Sequence, residues 1–220
     1  MANDNSRDPD ADRADLLLLE HPPQDRGQVE RYIKIAFQRA YGAKLTRLMP
    51  RLFTLQAPDR RVVAGFGLRE AAAGPLYLET YLDRPVEEVI GREANRSVAR
   101  SSIVEVGNLA ATPGGARAMI VALTNHLHQA GFEWVTFTGV AALRAAFFNL
   151  GLCPFVIAAA DPDRLPPGDL ALWGDYFVAR PMVMGGHVPS GQRSLVARHK
   201  SAEGPRLSFQ AANFAKRVLP

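Results

Sequence analysis

The sequence predicts a mixed α/β fold of the α+β type, with a partly antiparallel sheet. Two observations lead to this class. In the first half of the chain, short apolar runs follow one another across tight turns, as they do in antiparallel hairpins. In the second half, β-rich runs alternate with segments whose apolar residues have helical spacing.

The first half contains a predicted strand, a helix and three further strands. Apolar residues at helical spacing predict the helix, and Gly42 ends it in the usual C-terminal position. Alternation along the last of these strands places Tyr77, Glu79 and Tyr81 on one face. The predicted bounds are 15–20 for the first strand, 28–41 for the helix, and 52–55, 62–68 and 76–82 for the later strands.

The second half begins with a charged segment that mixes a short helix with loop. Glycines close the two helices that follow, and a loop rich in proline and aspartate precedes the last strand. Pro181 interrupts that strand, which favours an edge position or a bulge. The predicted bounds are 84–99 for the mixed segment, 103–109, 134–138, 153–157 and 177–184 for strands, and 120–130, 143–150 and 207–218 for helices.

The 220 residues suit one domain, and a hydrophobic fraction of 47% is ordinary for a globular protein. We expect a disordered segment at 1–14, a domain at 15–186, and a basic tail with a candidate helix at 187–220. A single cysteine excludes an intramolecular disulfide and favours the cytoplasm. The acidic start does not resemble a signal peptide, and no apolar run is long enough to span a membrane. No helix combines basic and aromatic residues as nucleic-acid binding requires.

The most informative stretch is 101–117, SSIVEVGNLAATPGGAR. An apolar strand carries one carboxylate, Glu105, and breaks at Pro113-Gly114-Gly115 before a helix begins. A glycine turn at a helix N-terminus gathers free N–H groups that suit a phosphate, and Arg117 adds a cation. The sequence therefore predicts a phosphate cradle one strand-length from a candidate proton acceptor. The alternative is a plain strand–helix turn.

This order resembles the acyltransferase fold of the GNAT superfamily, in which a split central strand ends beside a pyrophosphate loop. Four strings also resemble the thermostable hemolysin family: YLETYLDRPVEEVI at 77–90, VEVGNLA at 104–110, FTGVAALRAAFFNLGL at 137–152, and WGDYF with ARPMVMGG within 173–186. That family is similar in fold to GNAT acyltransferases and acyl-homoserine-lactone synthases. The resemblance implies transfer of a fatty acyl group from acyl-coenzyme A or acyl carrier protein to a small amine or amino acid. It implies no permanently bound cofactor.

Three residues are candidates for the chemistry. Glu105 is the expected general base because burial between apolar neighbours raises the pKa of a carboxyl group; pairing with a buried arginine is the alternative. Glu79 is a candidate for binding the substrate ammonium or sharing the base role, against structural pairing with Arg69. Tyr176 is a candidate general acid for the leaving thiolate, against a role in core contacts alone.

The predicted donor-binding residues follow the central strand, and they are Leu109, Gly114, Gly115, Ala116 and Arg117. The adjacent glycines depart from the usual GNAT loop, in which a basic residue comes first. No Cys/His cluster suggests a metal, and we expect His126 and His128 to be surface residues. Cys153 is expected to be half-buried and unreactive.

Two other classes of function stay open. The family name implies a membrane-active hemolysin, and only the basic, amphipathic tail at 206–219 suits peripheral contact with an anionic bilayer. Haemolysis could also arise indirectly, from a surfactant-like acylated product. The third reading is a protein that binds acyl carriers or nucleotides and has lost its chemistry.

Overall fold

The computed structural model describes residues 16–201 and 210–211. Its eight-stranded sheet has the order β6-β7-β5-β4-β3-β2-β1-β8. The strands are β1 (Leu17–His21), β2 (Arg51–Gln56), β3 (Val62–Glu70), β4 (Ile103–Ala111), β5 (Trp134–Gly139), β6 (Phe155–Ala159), β7 (Met182–His187) and β8 (Gln210–Ala211). The helices are α1 (Gly27–Tyr41), α2 (Val86–Glu93), α3 (Gly115–Gln129), α4 (Ala141–Asn149) and α5 (Val188–Ser201). The α+β class with flanking helices is confirmed.

Helices cover both faces of the sheet. Strand residues alternate between the two faces, so that Phe53 lies in the core beneath α3 and α4, whereas Leu52 contributes to the core beneath α1. A third cluster joins α2 to the β6 end of the sheet through residues such as Ile90 and Val183. The central strands are therefore buried on both faces, and access to them needs a local opening.

The opening forms where two central strands part. β4 and β5 are parallel and pair from Ile103 with Trp134 to Val106 with Phe137. Beyond this point β4 continues beside β3 and β5 continues beside β7, each in an antiparallel pair. The predicted split of the central strand is thus present, and it separates the two halves of the sheet.

A β-bulge bends β4 on the outer side of this split. The register with β3 shifts between Gly65 and Gly67, and Asn108 has a φ of 54°. The side-chain Oδ1 of Asn108 accepts a hydrogen bond from the Met49 N–H at 2.8 Å, which holds the bend. A bulge leaves part of the strand ladder unpaired, so backbone groups near Leu109 become available to the split.

Residues 76–82 do not form the predicted strand. Tyr77–Tyr81 is a 3₁₀ helix, and its buried residues, Leu78 and Tyr81, are three positions apart. The Glu79 side chain accepts a hydrogen bond from the Leu76 N–H at 2.8 Å and so caps the turn. The alternation of aromatic and aliphatic residues predicted a strand, and that prediction is wrong. The side-chain cap and the burial of every third residue stabilise a 3₁₀ helix instead.

The last long strand is also placed differently from the prediction. Gly174–Ala179 is a 3₁₀ helix, and β7 begins only at Met182, after Pro181. β7 lies between β5 and β6, so the predicted edge position is wrong for this strand, and β6 forms the edge at this end of the sheet. Proline precedes the strand and therefore removes no donor from its ladder.

Part of the predicted tail belongs to this architecture. Its described residues 188–201 form α5, which contacts α3, and Val188 is buried in the core. The predicted disordered segment at 1–14 lies outside the described residues. Of the predicted helix at 207–218 the structure describes only Gln210–Ala211, which form β8, so a helix is wrong for these two residues.

Gly174 fixes the segment 162–180 onto the end of α1. Its φ is 51°, and a Cβ built there would lie 2.1 Å from the Tyr41 carbonyl oxygen. We expect Gly174→Ala to destabilise the fold by about 2 kcal/mol through strain and overlap with the backbone, lowering the Tm by about 4–8 °C. Gly168→Ala is the matched control, because Gly168 also has a positive φ but has no atom within 4 Å of the built Cβ. Equal loss of Tm in the two variants would contradict the contact argument.

Candidate active site

The split between β4 and β5 opens into a cleft of about 470 Å³. One end lies beneath α3 and α4 and is apolar. The other end lies on the opposite face, where charged and aromatic side chains meet. The apolar end includes Leu109, Ala116, Met119, Leu143 and Ala146, and the polar end includes Arg69, Tyr77, Glu105, Trp173 and Tyr176.

Glu105 lies on the paired part of β4 and is 3% exposed. Its carboxylate accepts hydrogen bonds from the N–H groups of Tyr77 at 2.8 Å and Leu78 at 3.0 Å. Burial raises its pKa to about 7, although these two hydrogen bonds and the charge of Arg69 act in the opposite direction. The carboxyl group can therefore take or give a proton near neutral pH. Within the described residues no ion pair to an arginine forms at 4.0 Å or less, so the predicted alternative of a buried ion pair is wrong.

Glu79 does not line the cleft, and its ion-pair partner is Arg100 rather than the predicted Arg69. Arg100 binds it through two N–H groups, at 2.8 and 2.7 Å, and also reaches Glu87. Desolvation would raise the pKa of Glu79, but its hydrogen bonds from Arg100 and from the Val86 and Leu76 N–H groups outweigh it and lower the pKa to about 2. Glu79 thus stabilises the turn whose first N–H groups hold Glu105.

An aromatic wall, made of Phe37, Tyr41, Tyr77, Trp173 and Tyr176, bounds the polar end of the cleft. Tyr41 and Tyr176 meet edge to face with centroids 5.1 Å apart, and the Trp173 indole N–H donates to the Tyr77 hydroxyl at 3.2 Å. Sequence reasoning identified Tyr176 but assigned no role to Trp173, although the WGDYF string was a signal for both.

Tyr176 is almost fully buried among these rings. Its hydroxyl donates to the Thr138 carbonyl oxygen at 3.5 Å, at the rim of β5. Burial raises the pKa of the phenol above its ordinary value of 10.0, so the hydroxyl keeps its proton. Tyr176 thus makes the core contacts that the alternative predicted. It does not make core contacts alone, since its side chain also lines the cleft.

The predicted donor-binding residues fall into two groups. Leu109 and Ala116 line the cleft, whereas Gly114, Gly115 and Arg117 belong to the adjacent turn and to the first turn of α3. Gly114 has a φ of 81° with open space around its built Cβ, whereas a Cβ on Gly115 would lie 2.8 Å from the Val63 carbonyl oxygen. The second glycine is therefore required by close contact with β3, and the first leaves room for a ligand.

Arg69 is the functional candidate that sequence reasoning missed. It is the cross-strand partner of Glu105 and lines the same cleft. Because strand pairing between β3 and β4 brings the two residues together, their separation of 36 positions in the chain gives no local signal. Arg47 and Asp169 also line the cleft, and they form an ion pair at 3.5 Å.

The remaining candidates lie outside the cleft. His126 is half-buried with its ring centroid 4.9 Å from that of Phe53, so the expectation of a surface residue is wrong for His126, whereas His128 is exposed. The interior position follows from the orientation of α3 against β2. Cys153 is exposed rather than half-buried, since it lies in the turn before the edge strand. In the part of the chain that the structure describes, no group of side chains is arranged to hold a metal ion, and no helix is long and apolar enough to cross a membrane.

The fold is that of the GNAT-like acyltransferases. An N-acyl amino acid synthase from uncultured soil microbes, FeeM, is 13% identical with a TM-score of 0.55, and the match covers 83% of this chain and 96% of FeeM. A coenzyme A-dependent acyl-homoserine lactone synthase, BjaI, solved with SAM and isopentyl-CoA, is 13% identical with a TM-score of 0.55, covering 89% of this chain and 93% of BjaI. The acyl-homoserine lactone synthase LasI is 11% identical with a TM-score of 0.54, covering 84% and 96%.

The family model described as thermostable hemolysin matches residues 19–192. The chain therefore belongs to the thermostable hemolysin family, as the four sequence strings predicted. No curated protein matches the chain.

Proposed function

We propose that the protein is an acyltransferase that moves a fatty acyl group from acyl-coenzyme A or acyl carrier protein to a small amine or amino acid. The observation that carries the proposal is a buried carboxylate, Glu105, with a pKa near 7 at a cleft between two parting strands. The fold agrees with it, since FeeM is described as an N-acyl amino acid synthase and BjaI as an acyl-homoserine lactone synthase.

In the proposed reaction the acceptor enters as an ammonium ion. Glu105 takes one proton, and the free amine attacks the carbonyl carbon of the thioester. A C–N bond forms and the C–S bond breaks, the thiolate leaves, and the second nitrogen proton passes to it. The products are an amide, a thiol and a proton held by Glu105, which solvent then removes. Much of the rate comes from holding the two substrates together in the cleft.

The donor is assigned to the apolar end of the cleft. Leu109, Met119, Leu143 and Ala146 offer a surface for the acyl chain, and the bulge beside Leu109 leaves backbone groups for the thioester carbonyl. The N-terminus of α3, with Gly114, Gly115, Ala116 and Arg117, is assigned to the phosphates of the carrier. Both coenzyme A and acyl carrier protein present a phosphopantetheine arm, so both donors belong in the test.

Tyr176 and Glu79 take different tasks in this scheme. The protonated hydroxyl of Tyr176, at the β5 rim, is assigned a hydrogen bond to the leaving sulfur, which takes the place of the hydrogen bond to the Thr138 carbonyl oxygen. Because its pKa lies above that of a thiol, the tyrosine stabilises the thiolate by hydrogen bonding rather than by giving up its proton. Glu79 is assigned a positioning task, since Arg100 already neutralises its charge.

The direct test is acyl transfer by the purified protein. Acyl-coenzyme A and acyl carrier protein thioesters of several chain lengths are mixed with a panel of amines and all common amino acids, with thiol release and amide mass both recorded. We expect equal amounts of thiol and amide. Thiol release without amide would indicate a hydrolase, and the absence of both products with every donor would contradict the proposed function.

The pH dependence of turnover follows from the same carboxyl group. Its pKa is raised from 4.5 to about 7, so the proton-accepting form prevails only above that pH. We expect kcat/KM to fall about tenfold per pH unit below pH 7, and Glu105→Gln to lack this limb. The same carboxyl group affects the stability of the fold in the opposite sense. Between pH 4.5 and about 7 the folded state binds more protons than the unfolded state. The contribution of Glu105 to the free energy of unfolding therefore falls as the pH rises across that range. A wild-type kcat/KM that does not change with pH below about pH 7 would contradict the assignment of Glu105 as the general base.

A further inference from the structure

The polar end of the cleft holds two opposite charges that do not neutralise each other. Arg69 and Glu105 are directly opposed on neighbouring antiparallel strands, and such partners point to the same face. Both side chains line the cleft. Nevertheless, each has its own partners: Glu105 accepts from two backbone N–H groups, and Arg69 donates one N–H to the Pro75 carbonyl oxygen at 3.1 Å.

The donor fork of Arg69 is only partly used. Its Nε is buried, and within the described part of the chain it has no hydrogen-bond partner. A buried donor without a partner is costly, and native proteins satisfy most such groups. The planar donor fork of arginine also matches the oxygens of a carboxylate or a phosphate. The unused donor therefore points to an anionic ligand group that enters from the cleft.

The spacing of the two charges describes the ligand further. Arg69 and Glu105 are cross-strand partners at the same end of the cleft, so one small molecule that carries an ammonium and a carboxylate close together can contact both. An α-amino acid carries its ammonium and carboxylate on a single carbon. Its ammonium would face the Glu105 carboxylate, its carboxylate would face the Arg69 guanidinium, and its side chain would lie against the aromatic wall.

We propose that the acyl acceptor is a free α-amino acid and that Arg69 binds its carboxylate. This inference rests on the proposed acyltransferase function and selects one acceptor class from the two, amines and amino acids, that the function leaves open. Arg69 is thus a specificity-determining residue, whereas Glu105 performs the proton transfer. The ring faces of the aromatic wall favour contact with an apolar side chain on the acceptor.

The test compares acceptors that differ only at the carboxylate. Leucine, leucinamide and 3-methylbutylamine are supplied to the same enzyme with the same thioester donor, and phenylalanine, phenylalaninamide and phenethylamine form a second series. We expect kcat/KM for the amino acid to exceed that for the amide and the amine by about 50-fold or more. The α-amine of the amide is less basic than that of the amino acid, so a larger fraction of it is unprotonated near neutral pH. Without a carboxylate site the amide would therefore be the better acceptor.

Arg69→Gln is expected to reduce the preference to a few-fold, and Arg69→Lys is expected to restore part of it. The ratio of the two acceptors is the readout, because loss of the Arg69 charge also raises the pKa of Glu105 and so alters turnover of both. The ratio of two acceptors on one preparation is independent of the fraction of folded enzyme. Arg84→Gln, at an exposed position just before α2, is the matched control and should keep the wild-type ratio. Transfer to amines and amino acids alike, or an unchanged ratio in Arg69→Gln, would overturn the carboxylate site and leave the acyltransferase standing. Absence of transfer to every acceptor would overturn both.

Discussion

Glu105→Gln is expected to lower kcat by about 10²–10⁴-fold, the usual range for loss of a general base. Glutamine has nearly the same shape as glutamate but cannot accept the ammonium proton. The thioester donor should bind as before, because it is assigned to the apolar end of the cleft, away from this carboxyl group. Steady-state turnover and donor binding by calorimetry, measured on the same preparation, separate the two effects.

The control for this variant is Glu88→Gln, which removes an exposed carboxylate from α2. It should retain wild-type turnover. The Tm of Glu105→Gln is needed as well, since the glutamine amide cannot accept both hydrogen bonds that Tyr77 and Leu78 donate. Wild-type turnover in a folded Glu105→Gln variant would remove this residue from the chemistry.

Ala146→Phe is expected to change the preferred length of the acyl chain. Ala146 lines the apolar end of the cleft from α4, and a benzyl group there would occupy space assigned to the distal part of the chain. Excluding three methylene groups, at about 0.8 kcal/mol each, lowers kcat/KM for a dodecanoyl donor by about 50-fold. A short donor such as butyryl-coenzyme A should be unaffected.

Ala145→Phe is the matched control, because Ala145 is exposed on the outer side of the same helix. It should leave the ratio of dodecanoyl to butyryl transfer unchanged. If Ala146→Phe slows both donors equally, the acyl chain lies elsewhere and the assignment of the two ends of the cleft is wrong.

Local patterns predicted most of the elements, and the reasons differ from one to the next. The helix ended by Gly42 carries its own signals, namely an apolar stripe and a left-handed cap with a φ of 67°. The strand around Glu105 was predicted from its apolar neighbours, and burial of that carboxylate followed from the same pattern. By contrast, residues 76–82 alternate as a strand does, yet a side-chain cap and Arg100 hold them in a 3₁₀ turn.

The parts of the site that sequence did not predict depend on long-range contacts. Arg69 meets Glu105 only because β3 and β4 pair in one particular register. Trp173 reaches Tyr77 across 96 positions in the chain. Glu79 was expected to pair with Arg69 but pairs with Arg100, and no periodicity distinguishes the two arginines. Register and side-chain partners of this kind are decided by tertiary structure.

The residues at the polar end of the cleft come from two parts of the chain, which differ in how readily they accept substitution. Glu105 and Arg69 are anchored in central strands, where a substitution alters the register or the buried core. Trp173 and Tyr176 come from residues 162–180, a segment outside the sheet that the Lys44 N–H and the tight contact at Gly174 hold against the end of α1. Surface segments accept replacement and insertion more readily than strands do. Divergence among descendants of this protein is therefore expected to alter which acceptor side chain the proposed site takes, by exchange within 162–180, while the proposed contacts of Arg69 and Glu105 are inherited unchanged.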